Sequence, residues 1–144
     1  MNGWFLAAGA LLLVAFFVHS FAGNRLYSAA RPARPAPPNR AARAARPDRG
    51  TSRAYDAWLM GRCGMQMIGA DLLLAAGFLL ASGAGVLPRS RSLELFLLLT
   101  YGGWTAGWLL SLAAERSESR HYQRLRQWVL FGVVAVLVGI GLFR

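Results

Sequence analysis

Four apolar stretches, about residues 4–22, 60–87, 93–114 and 126–143, fill most of this chain, and nearly all of its charge lies between them. A hydrocarbon layer about 30 Å thick is crossed by about 20 helical residues rising 1.5 Å each. Within it, every backbone N–H and C=O must find its partner inside the segment. Runs of this length and composition call for helix, and for lipid rather than water as their solvent. The fold class expected is all-α: a polytopic membrane protein, a four-transmembrane-helix bundle forming a single integral membrane domain over residues 1–144, with both termini on the outer face. No room remains for a separate soluble catalytic domain.

The connections differ in charge, and that difference orients the chain. Residues 23 to about 55 carry eight arginines and five of the six prolines. Such a segment buries too little apolar surface to offset its ordering entropy, so 28–54 is expected to be a flexible Arg/Pro/Ala-rich cytoplasmic loop, polyproline-like, with a brief helical turn over Asn39 to Arg46. Residues 88–92 (Pro-Arg-Ser-Arg-Ser) form a short turn between antiparallel spans, with Pro88 as the stop signal. The polar stretch 115–127 carries four arginines, and an amphipathic turn holding Arg124 and Arg126 is expected to extend the fourth span backwards. Adding Arg62, thirteen arginines fall on one face and three (Arg89, Arg91, Arg144) on the other. The positive-inside rule then puts the first and third connections in the cytoplasm. Trp4 and Trp128 suit aromatic belts at the two interfaces.

All sixteen basic residues are Arg, and the net charge is +10. The Arg, Ala, Gly and Pro content reflects GC-rich coding and points to a bacterial cytoplasmic (inner) membrane. The charge is read as topogenic, meeting anionic lipid, and no nucleic-acid partner is expected. Ser20 and Ala22 would suit a cleavable signal peptide, but Met1-Asn2-Gly3 supplies no basic n-region. A lone cysteine, Cys63, excludes an intramolecular disulfide and any multi-cysteine metal centre.

A few positions stand out. Asp71 lies inside the second span, where an acid is a functional candidate by default. Counting twenty residues back from Leu87 puts it about one turn inside the inner boundary, and His19 falls at similar depth in the first span. The two form the candidate intramembrane polar pair. The small-residue positions Gly103 and Gly107, Gly132 and Gly139, and Gly69 and Gly77 allow close helix packing, with Gly103-x-x-x-Gly107 the GxxxG spacing. Tyr101, Trp104, Thr105 and Trp108 outline a candidate pocket for a quinone or lipid tail, or else a packed core with hydroxyls bonding across helices. Arg40, Arg43 and Arg46, at every third residue, are candidate contacts to anionic lipid.

Other chemistry finds little footing. Met60, Cys63, Met67 and Asp71 share a helical face of soft ligands, but one cysteine makes too thin a metal site. His19 and His121 do not define a haem pocket. No nucleophile–base pair, phosphate loop or pair of intramembrane carboxylates appears, and Glu94 is placed at a helix end. No cofactor, metal or catalytic residue is therefore expected. The functional expectation is a non-enzymatic accessory or interaction subunit that packs through small-residue faces against itself or a larger membrane complex. The alternatives are a small oligomeric transporter or channel using Asp71 and His19, and an intramembrane quinone- or lipid-binding protein.

Overall fold

A computed structural model describes residues 1–33, 49–116, 119–124 and 126–144, the side chains of 49–52 and of Arg124 excepted. Among these there is no strand. The helices are α1 (Gly3–Val18), a five-residue π-helical segment (His19–Gly23), α2 (Asn24–Ala29), α3 (Arg49–Ala84), α4 (Arg91–Ala114), α5 (Ser119–Arg124) and α6 (Gln127–Phe143). α1, the π segment and α2 run on as one helix, Gly3–Ala29. That helix, Arg53–Ala84 and Arg91–Ala114 are each long and apolar enough to cross a membrane. α6 is as apolar but has 17 residues, about 26 Å of helix. The helices carry the exposed large hydrophobics expected of lipid-facing surfaces, among them Val14, Phe17, Leu74, Phe96, Leu99 and Val136.

The helix ends have local causes. α3 stops at Ala84, before Pro88 is reached, because Gly85 takes φ +81°. The Val86 N–H then bonds the Ala81 carbonyl (2.9 Å) and the Gly85 N–H bonds that of Ser82 (3.1 Å), a Schellman closure that only glycine enters without strain. α4 starts two residues earlier than the apolar run, at Arg91, with the Glu94 N–H on the Ser90 carbonyl at 2.9 Å. It ends where Arg116 adopts φ +49°, a left-handed conformation in a non-glycine residue. The polar turn expected to lengthen the fourth span is instead a separate helix, α5. Trp128 ties it to α6 by donating its indole N–H to the Tyr122 carbonyl at 3.2 Å.

The protein has two compact units, Met1–Val14 with Leu73–Arg144, and Ala15–Leu72. The first packs the N-terminal part of α1 and the C-terminal part of α3 with α4 and α6. Its core holds Phe5, Ala8, Leu12, Ala76, Leu79, Tyr101, Val134 and Val138, all 0% exposed. α1 and α3 meet almost backbone to backbone. A Cβ on Gly9 would lie 3.0 Å from the Leu80 backbone nitrogen and 3.1 Å from the Ala76 oxygen, and one on Gly83 would lie 3.0 Å from the Leu6 nitrogen. Dispersion replaces the hydrophobic effect as the force between helices in lipid, so approach distance sets the gain.

In the second unit, the π segment leads α1 into α2 beside the first half of α3. Gly23 seats against Met65, which is 7% exposed, and Gly61 seats against the Tyr27 ring. A π turn admits one extra residue and redirects the side chains after it, and such turns often mark functional positions.

These glycine contacts predict a difference in sign. Gly9→Ala and Gly83→Ala each push a methyl into backbone and should destabilise the protein by about 1–3 kcal/mol. Gly77→Ala, with nothing within 4 Å of the new methyl, should stabilise by about 0.5–1 kcal/mol through helix propensity. Denaturant unfolding in detergent micelles measures all three, and equal effects would refute the backbone-contact reading.

Candidate functional site

The densest polar cluster in the first unit gathers where α1 begins, α3 and α6 end and α4 begins. Asn2 caps α1, its Oδ1 accepting the N–H groups of Trp4 (3.1 Å) and Phe5 (3.3 Å). The Asn2 backbone N–H donates to the Gly83 carbonyl at 2.8 Å, and its Nδ2 donates to the Gly141 carbonyl at 2.9 Å. One residue therefore satisfies orphan groups at three helix ends. Gly141 suits that meeting, since a Cβ there would collide with the Phe5 ring.

Arg89 completes the cluster. Its Nε donates to Glu94 Oε1 at 3.0 Å and its Nη2 to Oε2 at 2.9 Å, a bidentate fork. Nη2 also donates to the Gly141 carbonyl at 2.9 Å, and the guanidinium lies 5.2 Å from the centroid of the Phe5 ring. Glu94 is 1% exposed, whereas the Arg89 side chain is 45% exposed. The hydrogen bonds to Glu94 raise the Arg89 pKa above its ordinary value, against the desolvation that opposes charge and with help from the carboxylate's field. Arg89 is thus fully charged at any physiological pH. Each Glu94 oxygen accepts one guanidinium N–H, so the carboxylate ties the turn to the start of α4.

The cluster opens on two shallow cavities that share Arg89 and Arg144. One, of about 430 Å³, is lined by Asn2, Trp4, Ser82 and Leu87 among others. The other, of about 400 Å³, is lined by Arg91, Glu94, Leu142 and Phe143. Arg144 sits 5.6 Å from the centroid of the Trp4 ring. Ser82 is 3% exposed, and its hydroxyl has no hydrogen-bond partner among the described residues.

A second cluster, in the other unit, is aromatic and cationic. Trp58 donates its indole N–H to the Tyr27 carbonyl at 2.9 Å. Arg31 and Arg62 lie 5.4 and 5.7 Å from the centroid of its ring, and Arg31 lies 5.9 Å from that of Tyr55. Such groupings suit a headgroup boundary, where an aromatic body meets lipid and a guanidinium meets water.

The residues singled out from sequence are distributed as follows. His19 donates Nε2–H to the Met65 backbone carbonyl at 2.8 Å, and its ring lies beside Gly69. Asp71 is half-buried and is not left without a partner. It is equally far along α3 from Trp58 and from Ala84, about 20 Å of helix on either side. Gly132 lies against Thr105 and Gly139 against Leu98, which seats α6 on α4. Gly77, Gly103 and Gly107 have nothing within 4 Å of an added Cβ.

Tyr101, Trp104 and Trp108 surround Phe131 of α6, with centroids 6.1, 5.3 and 6.2 Å away, so α6 fills the space between the aromatics. The hydroxyls of Thr105 and Ser111 turn back to carbonyls in their own helix, Tyr101 (2.9 Å) and Gly107 (2.8 Å), rather than crossing to a neighbour. Trp108 retains a buried, unpartnered indole N–H. Met60, Cys63 and Met67 are exposed, as is His121. Arg40, Arg43 and Arg46 lie outside the described residues, as does most of the 28–54 loop.

Sequence reasoning passed over Asn2, Arg89, Glu94 and Ser82. The available signal was Arg89 standing five positions before Glu94, a spacing that lets a guanidinium in the turn reach the first turn of the next helix.

Comparison with protein-family models, with curated proteins and with solved structures finds no match to this chain.

The Arg89–Glu94 tie makes a two-part prediction. Glu94→Gln should cost roughly 2 kcal/mol, less than the 3–5 kcal/mol of a fully buried pair because Arg89 is partly solvated. The double variant Arg89→Met with Glu94→Leu, which removes both charges together, should recover most of that loss. Thermal unfolding in micelles reads both, and a double variant less stable than the single one would contradict the assignment.

Proposed function

We propose that the protein is a non-catalytic, multi-pass accessory subunit of a bacterial cytoplasmic membrane that binds other membrane helices through the open face of α4. The observation that carries this reading is the state of that face. The membrane-length window of α4 is 6% buried, against 22% for Gly3–Ala29 and 39% for Arg53–Ala84. Its two GxxxG glycines meet nothing, while Gly9, Gly83, Gly132, Gly139 and Gly141 are spent on contacts within the chain. Gly103, Ala106 and Gly107 are exposed, with Leu99 and Leu110 exposed on the same helix. A flat glycine groove flanked by aliphatic ridges suits close approach by a second apolar helix. The Glu94 carboxylate is committed to Arg89 and the His19 Nε2 to a backbone carbonyl, which supports a non-enzymatic reading.

The test is co-purification from mild detergent. Gly103→Leu and Gly107→Leu should each fold as the wild type does, because their side chains enter open space, and should lose the associated partner or the self-association. Gly77→Leu, equally unobstructed but on α3, should retain it. Loss in all three, or in none, would remove the proposal.

In this reading the chain crosses the membrane four times, by Gly3–Ala29, α3, α4 and α6, with both ends outside. The arginine asymmetry supports that orientation, and α6, though short, carries no charge between Gln127 and Phe143. Thiol labelling on a Cys63→Ser background should reach a cysteine introduced at Ser92 from outside intact cells, but not one introduced at Ser119. The reverse pattern would invert the topology.

A further inference from the structure

The cluster at Arg89 has donors left over. Arg89 carries five N–H groups, of which Glu94 and Gly141 take those on Nε and Nη2; Nη1 has no acceptor among the described residues. Glu94 balances Arg89, but Arg91 and Arg144, both exposed, have no Asp or Glu side chain paired with them among the described residues. The two cavities share Arg89 and Arg144 in their lining, and Arg91 lines the second. Ser82 lines the first, and its buried hydroxyl has no partner among the described residues. A buried, unpaired hydroxyl is a cost that proteins seldom retain without a ligand or water to meet it. The surplus is therefore a set of hydrogen-bond donors with excess positive charge, beside a tryptophan, at helix ends where headgroups would lie.

We propose that the first cavity binds a phosphate ester, with Arg89 Nη1, Arg144 and the Ser82 hydroxyl as its donors and Arg91 in the neighbouring cavity. Guanidinium groups match phosphate oxygens in geometry as well as charge. The Arg89–Glu94 fork serves a second purpose here. It fixes the guanidinium plane before the ligand arrives, so little side-chain entropy is lost on binding. Trp4, held under Arg144, supplies the apolar wall that a glycerol backbone or acyl ester would contact. The same chemistry admits two sources, the headgroup of an anionic phospholipid or a free phosphate.

The experiment uses the full chain in dodecyl maltoside, with phosphatidylglycerol as one probe and inorganic phosphate at constant ionic strength as the other. Native mass spectrometry counts retained lipid, and thermal shift follows phosphate. Arg144→Gln and Ser82→Ala are the site variants. Arg120→Gln, on α5 beyond the other end of α4, removes one charge elsewhere. Loss of a charge-assisted hydrogen bond should weaken phosphatidylglycerol binding about tenfold in Arg144→Gln. A smaller loss is expected in Ser82→Ala, and none in Arg120→Gln. If only the inorganic phosphate shift responds to the site variants, the ligand is a soluble phosphate and the site assignment stands. Equal loss in Arg120→Gln would mean diffuse charge attraction and would overturn the proposal. So would wild-type binding of both probes in Arg144→Gln and Ser82→Ala, or no binding of either probe to the wild type. Circular dichroism and a single elution peak establish that each variant is folded.

Discussion

The first unit depends on how four helix ends share very few polar groups. The carbonyl of Gly141 accepts from both Asn2 and Arg89, and through it the end of α6 is tied to the start of α1 and to the turn before α4. Helix termini leave orphan donors and acceptors, and in an apolar setting each one left unpaired is costly. Asn2 meets several of these demands with one short side chain. Arg89 reaches the Gly141 carbonyl as well, and its fork makes the charge of the buried Glu94 tolerable. The pair is best understood as the means by which a turn of a few residues is held against three helices at once. Its energetic worth as an ion pair is secondary, since desolvation cancels much of the attraction.

Close packing follows from that arrangement. With the N-terminus of α1 pinned to Gly83 and Gly141, Gly9 is carried into contact with Leu80 and Ala76, and backbone approaches backbone. α6 meets α4 through Gly132, Gly139 and Phe131, and Phe131 occupies the space between Tyr101, Trp104 and Trp108. Gly103 and Gly107 of α4 are not consumed in this way, and both are exposed.

How much was legible in the sequence varied by level. The apolar runs called for helices long and apolar enough to cross a membrane, and the charge in the connections was plain. Element ends were less legible. Pro88 looked like the stop of α3, yet Gly85 ends it earlier, because a left-handed residue closes the last turn before the proline is reached. Asp71 stood out as an acid within an apolar run, and a carboxylate in such a run has reason to keep a partner. Glu94 looked like an ordinary helix-end acid. Only the placement of Arg89 and Gly141 shows it to be among the most buried side chains of the protein.

Composition alone determined that this polypeptide is helical and that several of its helices have the length and apolarity to cross a bilayer, because backbone hydrogen bonding in hydrocarbon leaves no other choice. It also determined where charge could not go. The tertiary structure decided which of many equivalent glycines are used within the chain and which face outward, and it decided that Asn2, Arg89 and Glu94 meet. Those outcomes depend on helix rotation and on contacts between residues distant in sequence. A one-dimensional pattern of apolar and charged residues carries almost no information about either.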